Sequence, residues 1–162
     1  MADIALIRID FRLIHGQVVA RWLKETQATK IIIVNDTLSK DPTMGNIYRM
    51  ATPAGVRCAI VSVDHFVDSW KTTHLGEGTA MVLFKNVKTV FDAYQKGFNP
   101  IDLQIGGLGA GPGRKIVYQN ITLNKEDFDM LEKISPNINI YFQATPEDNK
   151  KFYLSINQTI TF

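Results

Sequence analysis

The chain has 162 residues, a length that fits one domain with a substantial core. A hydrophobic content of 45% is that of a globular protein, and a net charge of +2 without a long block of like charges argues against a dedicated nucleic-acid binder. The single cysteine, Cys58, excludes an intrachain disulfide and a cysteine-rich zinc site and is compatible with a reducing compartment.

The N-terminus shows no basic segment followed by an apolar signal core. The first apolar run covers 4–9 and reads as a strand. An amphipathic stretch over 16–26 follows, with Val18, Val19, Trp22 and Leu23 on one face, so residues 10–15 form a strand-to-helix turn. Further strands are expected at 30–35, 57–62, 79–84, 102–105 and 139–144. Further helices are expected at 42–52, 64–72, 87–96 and 125–134. Asp41 before Pro42 suits a cap followed by a first-turn proline, and Asn86 and Asn124 suit caps of later helices. Val87, Val90, Phe91 and Tyr94 give the stripe of a buried helix face, and Gly97 before Pro100 marks a helix stop. The stretch 114–122 has room for a short strand, and the tail 158–162 has β propensity without an assigned place.

Apolar runs alternating with amphipathic helices predict an α/β fold: a single domain, 1–162, with a mainly parallel open sheet and helices on both faces. The longest apolar runs, 31–34 and 80–84, are too short to span a bilayer. A soluble protein is expected, with any membrane role coming through a partner. In such sheets ligands bind at the carboxyl ends of strands. His15, Asp36, Asp64 and the glycine-rich segment from Gly106 all follow expected strand ends and so are expected on one rim.

His15 carries the sharpest chemistry. It stands where a strand hands over to a helix, and the first amides of a helix favour anions. Arg12 and Arg8 bring positive charge nearby, and a neutral imidazole nitrogen is a nucleophile. A planar guanidinium at Arg12 can hold two oxygens of a phosphoryl group. Asp10 is expected to orient His15 or restrain Arg12, while Arg8 reads either as positive charge near the ring or as the partner of a nearby carboxylate. Gly16 allows close approach to the helix start, and Gln17 is placed to bond nearby backbone. Asp36 is expected to cap the next turn or organise the His15 loop. His65 and His74 have no comparable setting, and no histidine pair has the spacing of a metal site.

The segment Gly106-Gly107-Leu108-Gly109-Ala110-Gly111-Pro112-Gly113 reads either as a flexible connection or as an anion-binding loop flanking the site. Neither nucleotide fingerprint fits: Pro112 stands where the dinucleotide motif needs glycine, and again where the P-loop needs lysine. Arg114 and Lys115 read as a solvated rim able to steer an anionic partner.

The run Arg8-Ile9-Asp10-Phe11-Arg12-Leu13-Ile14-His15-Gly16-Gln17-Val18 closely resembles the opening of enzyme IIB components of the mannose/fructose/sorbose family, part of the bacterial phosphoenolpyruvate:sugar phosphotransferase system. The resemblance continues through Ile31-Ile32-Ile33-Val34-Asn35-Asp36, Pro53-x-Gly55-Val56 and Ile105-Gly106-Gly107, and covers most of the chain in order. Phe11 departs from the acidic residue frequent at its place, which bears on local charge and partner fit. The resemblance implies a phosphocarrier, a protein-phosphohistidine–sugar phosphotransferase. His15 would accept a phosphoryl group from a cognate IIA protein and pass it to a sugar bound by the membrane components IIC and IID. It further implies a phosphate-binding role for Arg12 and no cofactor; the residues themselves suggest phosphate-binding or orienting roles for Asp10, Gly16, Gln17, Asp36, Gly106 and Gly107, and no metal is expected. A cytoplasmic chain recruited to the membrane through its partners is expected, with homo-oligomers compatible. The alternatives are a non-covalent phosphate- or nucleotide-binding regulator and a scaffold.

Overall fold

The computed structural model describes residues 1–162 and forms one α/β domain around a seven-stranded sheet of order β3-β2-β4-β1-β5-β8-β9. The strands are β1 (Asp3–Asp10), β2 (Lys30–Val34), β3 (Arg57–Val61), β4 (Thr79–Phe84), β5 (Asp102–Gly107), β8 (Asn139–Phe142) and β9 (Lys151–Phe152). The first six run parallel, and β9 closes the edge antiparallel to β8. A separate antiparallel hairpin, β6 (Lys115–Tyr118) and β7 (Ile121–Leu123), occupies the stretch where one short strand was expected.

Alternate residues of the strands feed two cores. On one face Leu6, Ile31, Ile33, Met81 and Leu83 pack under α1 (Gly16–Thr26), with Tyr48 of α3 (Pro42–Ala51) against them. On the other, Ile7, Ile9, Val34, Val82, Phe84 and Ile105 pack under α4 (Val63–Thr72), α5 (Val87–Gln95) and α6 (Lys125–Ile134). Coverage of both faces explains why these strands read as continuous apolar runs.

The expected caps are made: Asp41 accepts from the Met44 amide, Asn86 from Thr89, and Asn124 forms a reciprocal capping box with Asp127. A one-turn helix, α2 (Asp36–Ser39), lies between β2 and α3, capped by Asn35. The tail forms short 3-10 turns rather than a strand, and its last ring, Phe162, packs on Phe128 with centroids 5.6 Å apart.

Candidate functional site

The carboxyl end of β1 delivers a polar chain into a setting that is otherwise apolar. Arg8 and Asp10 lie on the same face of β1, two residues apart, and are 2% and 1% exposed. Arg8 Nη2 donates to Asp10 Oδ2 at 3.1 Å and to the Ala144 carbonyl at 3.0 Å, while Nη1 donates to the Gln143 carbonyl at 3.0 Å and to the Gln104 side chain. Trp22 of α1 covers the guanidinium, 5.5 Å from its ring centroid. Burial pulls the Arg8 guanidinium below its ordinary value, and the Asp10 carboxylate opposes that pull. The ion pair is tolerable inside the protein because every charged arm has partners.

Asp10 then reaches outward. Its Oδ1 accepts from the Arg12 amide at 3.0 Å and from Arg12 Nε at 3.2 Å, and Oδ2 accepts from Arg12 Nη2 at 3.4 Å. Asp10 therefore restrains Arg12 and makes no bond to the His15 ring. The Arg12 side chain is 36% exposed, and its Nη1 keeps no protein partner. The guanidinium also stands 5.4 Å from the Phe11 ring centroid, and Phe11 in turn rests against Gly109.

The turn between β1 and α1 is firmly held. Leu13 and Ile14 are buried, and the Leu13 amide donates to the Asp10 carbonyl at 2.9 Å. Leu13 takes φ 57°, a costly conformation for a branched residue, and Gly16 takes φ 43° with open space where a Cβ would stand. His15 is the N-cap of α1, exposed, and its side chain makes no capping bond. The first-turn amides at Gly16 and Gln17 therefore have no side-chain acceptor, and Arg12, with one arm free, stands four residues before Gly16 in the chain. Uncapped helix amides, a restrained cation and an exposed approach are the components from which an oxyanion site is built.

Other expected members of the rim sit elsewhere or do something else. Gly106 and Gly107 belong to β5 and are buried, so they are not a loop cradle. A Cβ on Gly106 would stand 1.9 Å from Arg8 Cζ, and one on Gly107 would stand 2.8 Å from Asp10 Oδ1. Their glycines make room for the Arg8–Asp10 pair. Asp36 accepts from the Val63 amide at 2.8 Å and ties the end of β2 to the start of α4; it does not organise the His15 turn. Asp64 is exposed and paired with Lys96. Arg114 is no free rim cation, since it bonds the Thr122 hydroxyl at 2.9 Å and Asp127 at 2.8 Å and staples the glycine-rich loop. Lys115 donates to the Thr161 carbonyl at 2.6 Å. His74 stacks on Trp70, centroids 4.4 Å apart, as a packing residue.

The description of the sorbose-subfamily IIB component of the phosphotransferase system matches residues 4–160. The chain belongs to the mannose/fructose/sorbose family of IIB components. It is 26% identical to the fructose-specific EIIB component of Bacillus subtilis over 162 residues, 99% of each chain. It is 33% identical to the sorbose-specific EIIB component of Klebsiella pneumoniae over 146 residues, 88% of this chain and 89% of that one. Among solved structures, manxB from Thermoanaerobacter tengcongensis superposes with a TM-score of 0.90 at 33% identity, covering 100% of this chain and 99% of the other. No helix is long and apolar enough to cross a membrane.

Membership corrects the expectation of a phosphohistidine enzyme. It establishes a IIB phosphotransferase, but it does not confer a histidine carrier: a IIB domain can carry its phosphoryl group on a cysteine, and this chain has one, Cys58. Membership leaves the attacking atom to be set by the surroundings of each candidate. Cys58 lies in β3, the edge strand, in register with Ile31, Met81 and Leu6 across the sheet. That puts it three strand spacings from β1, about 14 Å, and about 13 Å below the level of Asp10. The thiol is half-buried against the α1/α3 core, and burial raises its pKa, with Thr52 and Arg49 opposing. The thiolate is the reactive form, so this environment works against it. A cleft of about 380 Å³ beside Cys58 is lined by Lys30 and Arg57, but Lys30 Nζ is given to the Leu75 carbonyl.

Proposed function

We propose that this IIB chain handles its phosphoryl group at the rim above β1, formed by Asp10, Arg12, His15, Gly16 and Gln17. The donor is a phosphorylated IIA protein, the acceptor is a sugar held by IIC and IID membrane components, and the chain works in the cytoplasm as one domain over 1–162. The observation that carries this reading is Arg12, pinned on Asp10 with one arm free in the turn that leads to the uncapped start of α1. Phosphoryl transfer is mostly positioning and electrostatic stabilisation, and this rim supplies both. The exposure of residues 15–17 suits a group that two different proteins must reach. The sugar belongs to the membrane partner: relatives of comparable similarity carry fructose, sorbose and mannose in their names.

The test is intact-mass analysis with peptide mapping after incubation with phosphoenolpyruvate, enzyme I, HPr and a IIA protein of this class. The rim reading expects one added phosphoryl group within the 11–17 turn, retained in Cys58→Ser. A label mapped to Cys58 and lost in that variant overturns the rim reading and assigns a cysteine carrier. Reversible phosphate binding without covalent addition supports the regulator instead.

A further inference from the structure

We propose that Arg8 is a positioning residue for phosphoryl transfer, acting through Asp10 on Arg12; the proposal rests on the rim reading above. An aspartate with one exposed arginine would leave that pair free to swing. Here Asp10 is clamped from behind. Arg8 spends its bonds on the Gln104 side chain, the Gln143 and Ala144 carbonyls and Asp10, tying β1 to β5 and to the segment after β8. The Ala144 carbonyl also accepts from Trp22 Nε1 at 3.1 Å, so the same anchor holds α1, the helix whose first turn borders the site. The parts that define where an oxyanion would sit, Arg12 and the start of α1, are thus referenced to one buried guanidinium.

Two further observations fit this role. Gly106 is the residue over which the Arg8 guanidinium passes, and any side chain there would occupy the guanidinium's place. Gln104 is fully buried, and its Nε2 donates to Gln143 Oε1 at 3.3 Å, which fixes the acceptor it offers to Arg8. A pair needed only for stability would do as well with apolar side chains of similar volume. A pair needed for aim would not, because catalysis depends on donors held in place before the reaction.

The experiment compares Arg8→Lys and Arg8→Met with wild type, each alone and combined with Arg12→Ala. Lysine keeps the charge but cannot reproduce the planar, multi-armed grip. At saturating phosphorylated IIA protein, Arg8→Lys should slow single-turnover transfer about tenfold, with half-saturation unchanged. In the Arg12→Ala background the same substitution should have an effect within about twofold, because the target of the positioning is gone. An equal fold-loss in both backgrounds overturns the proposal and leaves Arg8 a structural residue. The NMR signal of the Arg12 Nε–Hε group in the resting protein gives a readout independent of transfer: it should move and broaden in Arg8→Lys. An unmoved Arg12 signal sinks the proposal even if Arg8→Met fails to fold. Absent labelling of wild type together with a moved Arg12 signal would fault the functional reading rather than the positioning.

Discussion

The carboxyl end of the central strand β1 and the edge strand β3 hold the two side chains that could attack a phosphoryl donor, and they differ in what surrounds them. Above β1, a buried Arg8–Asp10 pair supports Arg12, and the start of α1 offers uncapped amides next to an exposed His15. At the β3 edge, Cys58 sits half-buried against apolar residues with its pKa raised. What differs is not the intrinsic reactivity of imidazole and thiol. It is whether the fold supplies donors for the oxygens being transferred. Family membership names the reaction, and only this local inventory speaks to where it happens.

The sharpest way to break the comparison is to remove the pivot of the rim. Asp10→Ala leaves Arg8 buried without its carboxylate, and breaking a buried pair from one side costs about 3–5 kcal/mol. Urea denaturation should show a loss of that size, with transfer falling in parallel. Gly107→Val drives a branched side chain toward Asp10 Oδ1, 2.8 Å from the position of its Cβ, and overpacking costs about 1–3 kcal/mol. It should lower the unfolding midpoint and slow transfer measured well below unfolding. Unchanged values in both would mean that the β5 glycines do not shape the rim.

Much of the fold was legible in the sequence because it rests on local or short-period signals. Apolar runs marked the parallel strands, and Asp41, Asn86 and Asn124 marked helix starts. The His15 turn was legible because strand, turn and helix follow each other within a few residues. What could not be read depends on distant partners. Arg8 meets residues 96, 135 and 136 positions away. Gly106 and Gly107 look like the start of a loop because nothing in their own neighbourhood reveals that β1 side chains fill the space above them. Arg114 looks solvated until the β6–β7 hairpin folds back and brings Thr122 and Asp127 to it. The carrier atom was inferred from resemblance, and that step is the one the family match did not support.

Smaller effects separate structure from chemistry. Asn124→Ala removes the capping box of α6, worth about 1 kcal/mol, on an element outside the rim. Thermal unfolding should fall while transfer stays at the wild-type rate; a slowed transfer would extend the site toward α6. The thiol offers a test by pH. Burial raises the folded-state pKa of Cys58, so the folded protein keeps that proton longer than the unfolded chain. The stability this contributes is fully present below the free-thiol value of about 8.5 and is lost as pH rises through the folded value. Wild-type stability relative to Cys58→Ser should therefore decline at alkaline pH. A relative gain there would mean a thiolate favoured by the fold.

The most direct test sets the two regions side by side: stopped-flow transfer from a phosphorylated IIA protein to Arg12→Lys and to Cys58→Ser. Lysine cannot hold Asp10 and present a free arm at once, and loss of a charge-assisted bond of about 1.5–3 kcal/mol corresponds to roughly ten- to a hundredfold in rate. Arg12→Lys should show that slowing, and Cys58→Ser should transfer within about twofold of the wild-type rate. Abolished transfer in Cys58→Ser with a wild-type rate in Arg12→Lys would contradict a phosphoryl site at the β1 rim and move the group to the β3 edge.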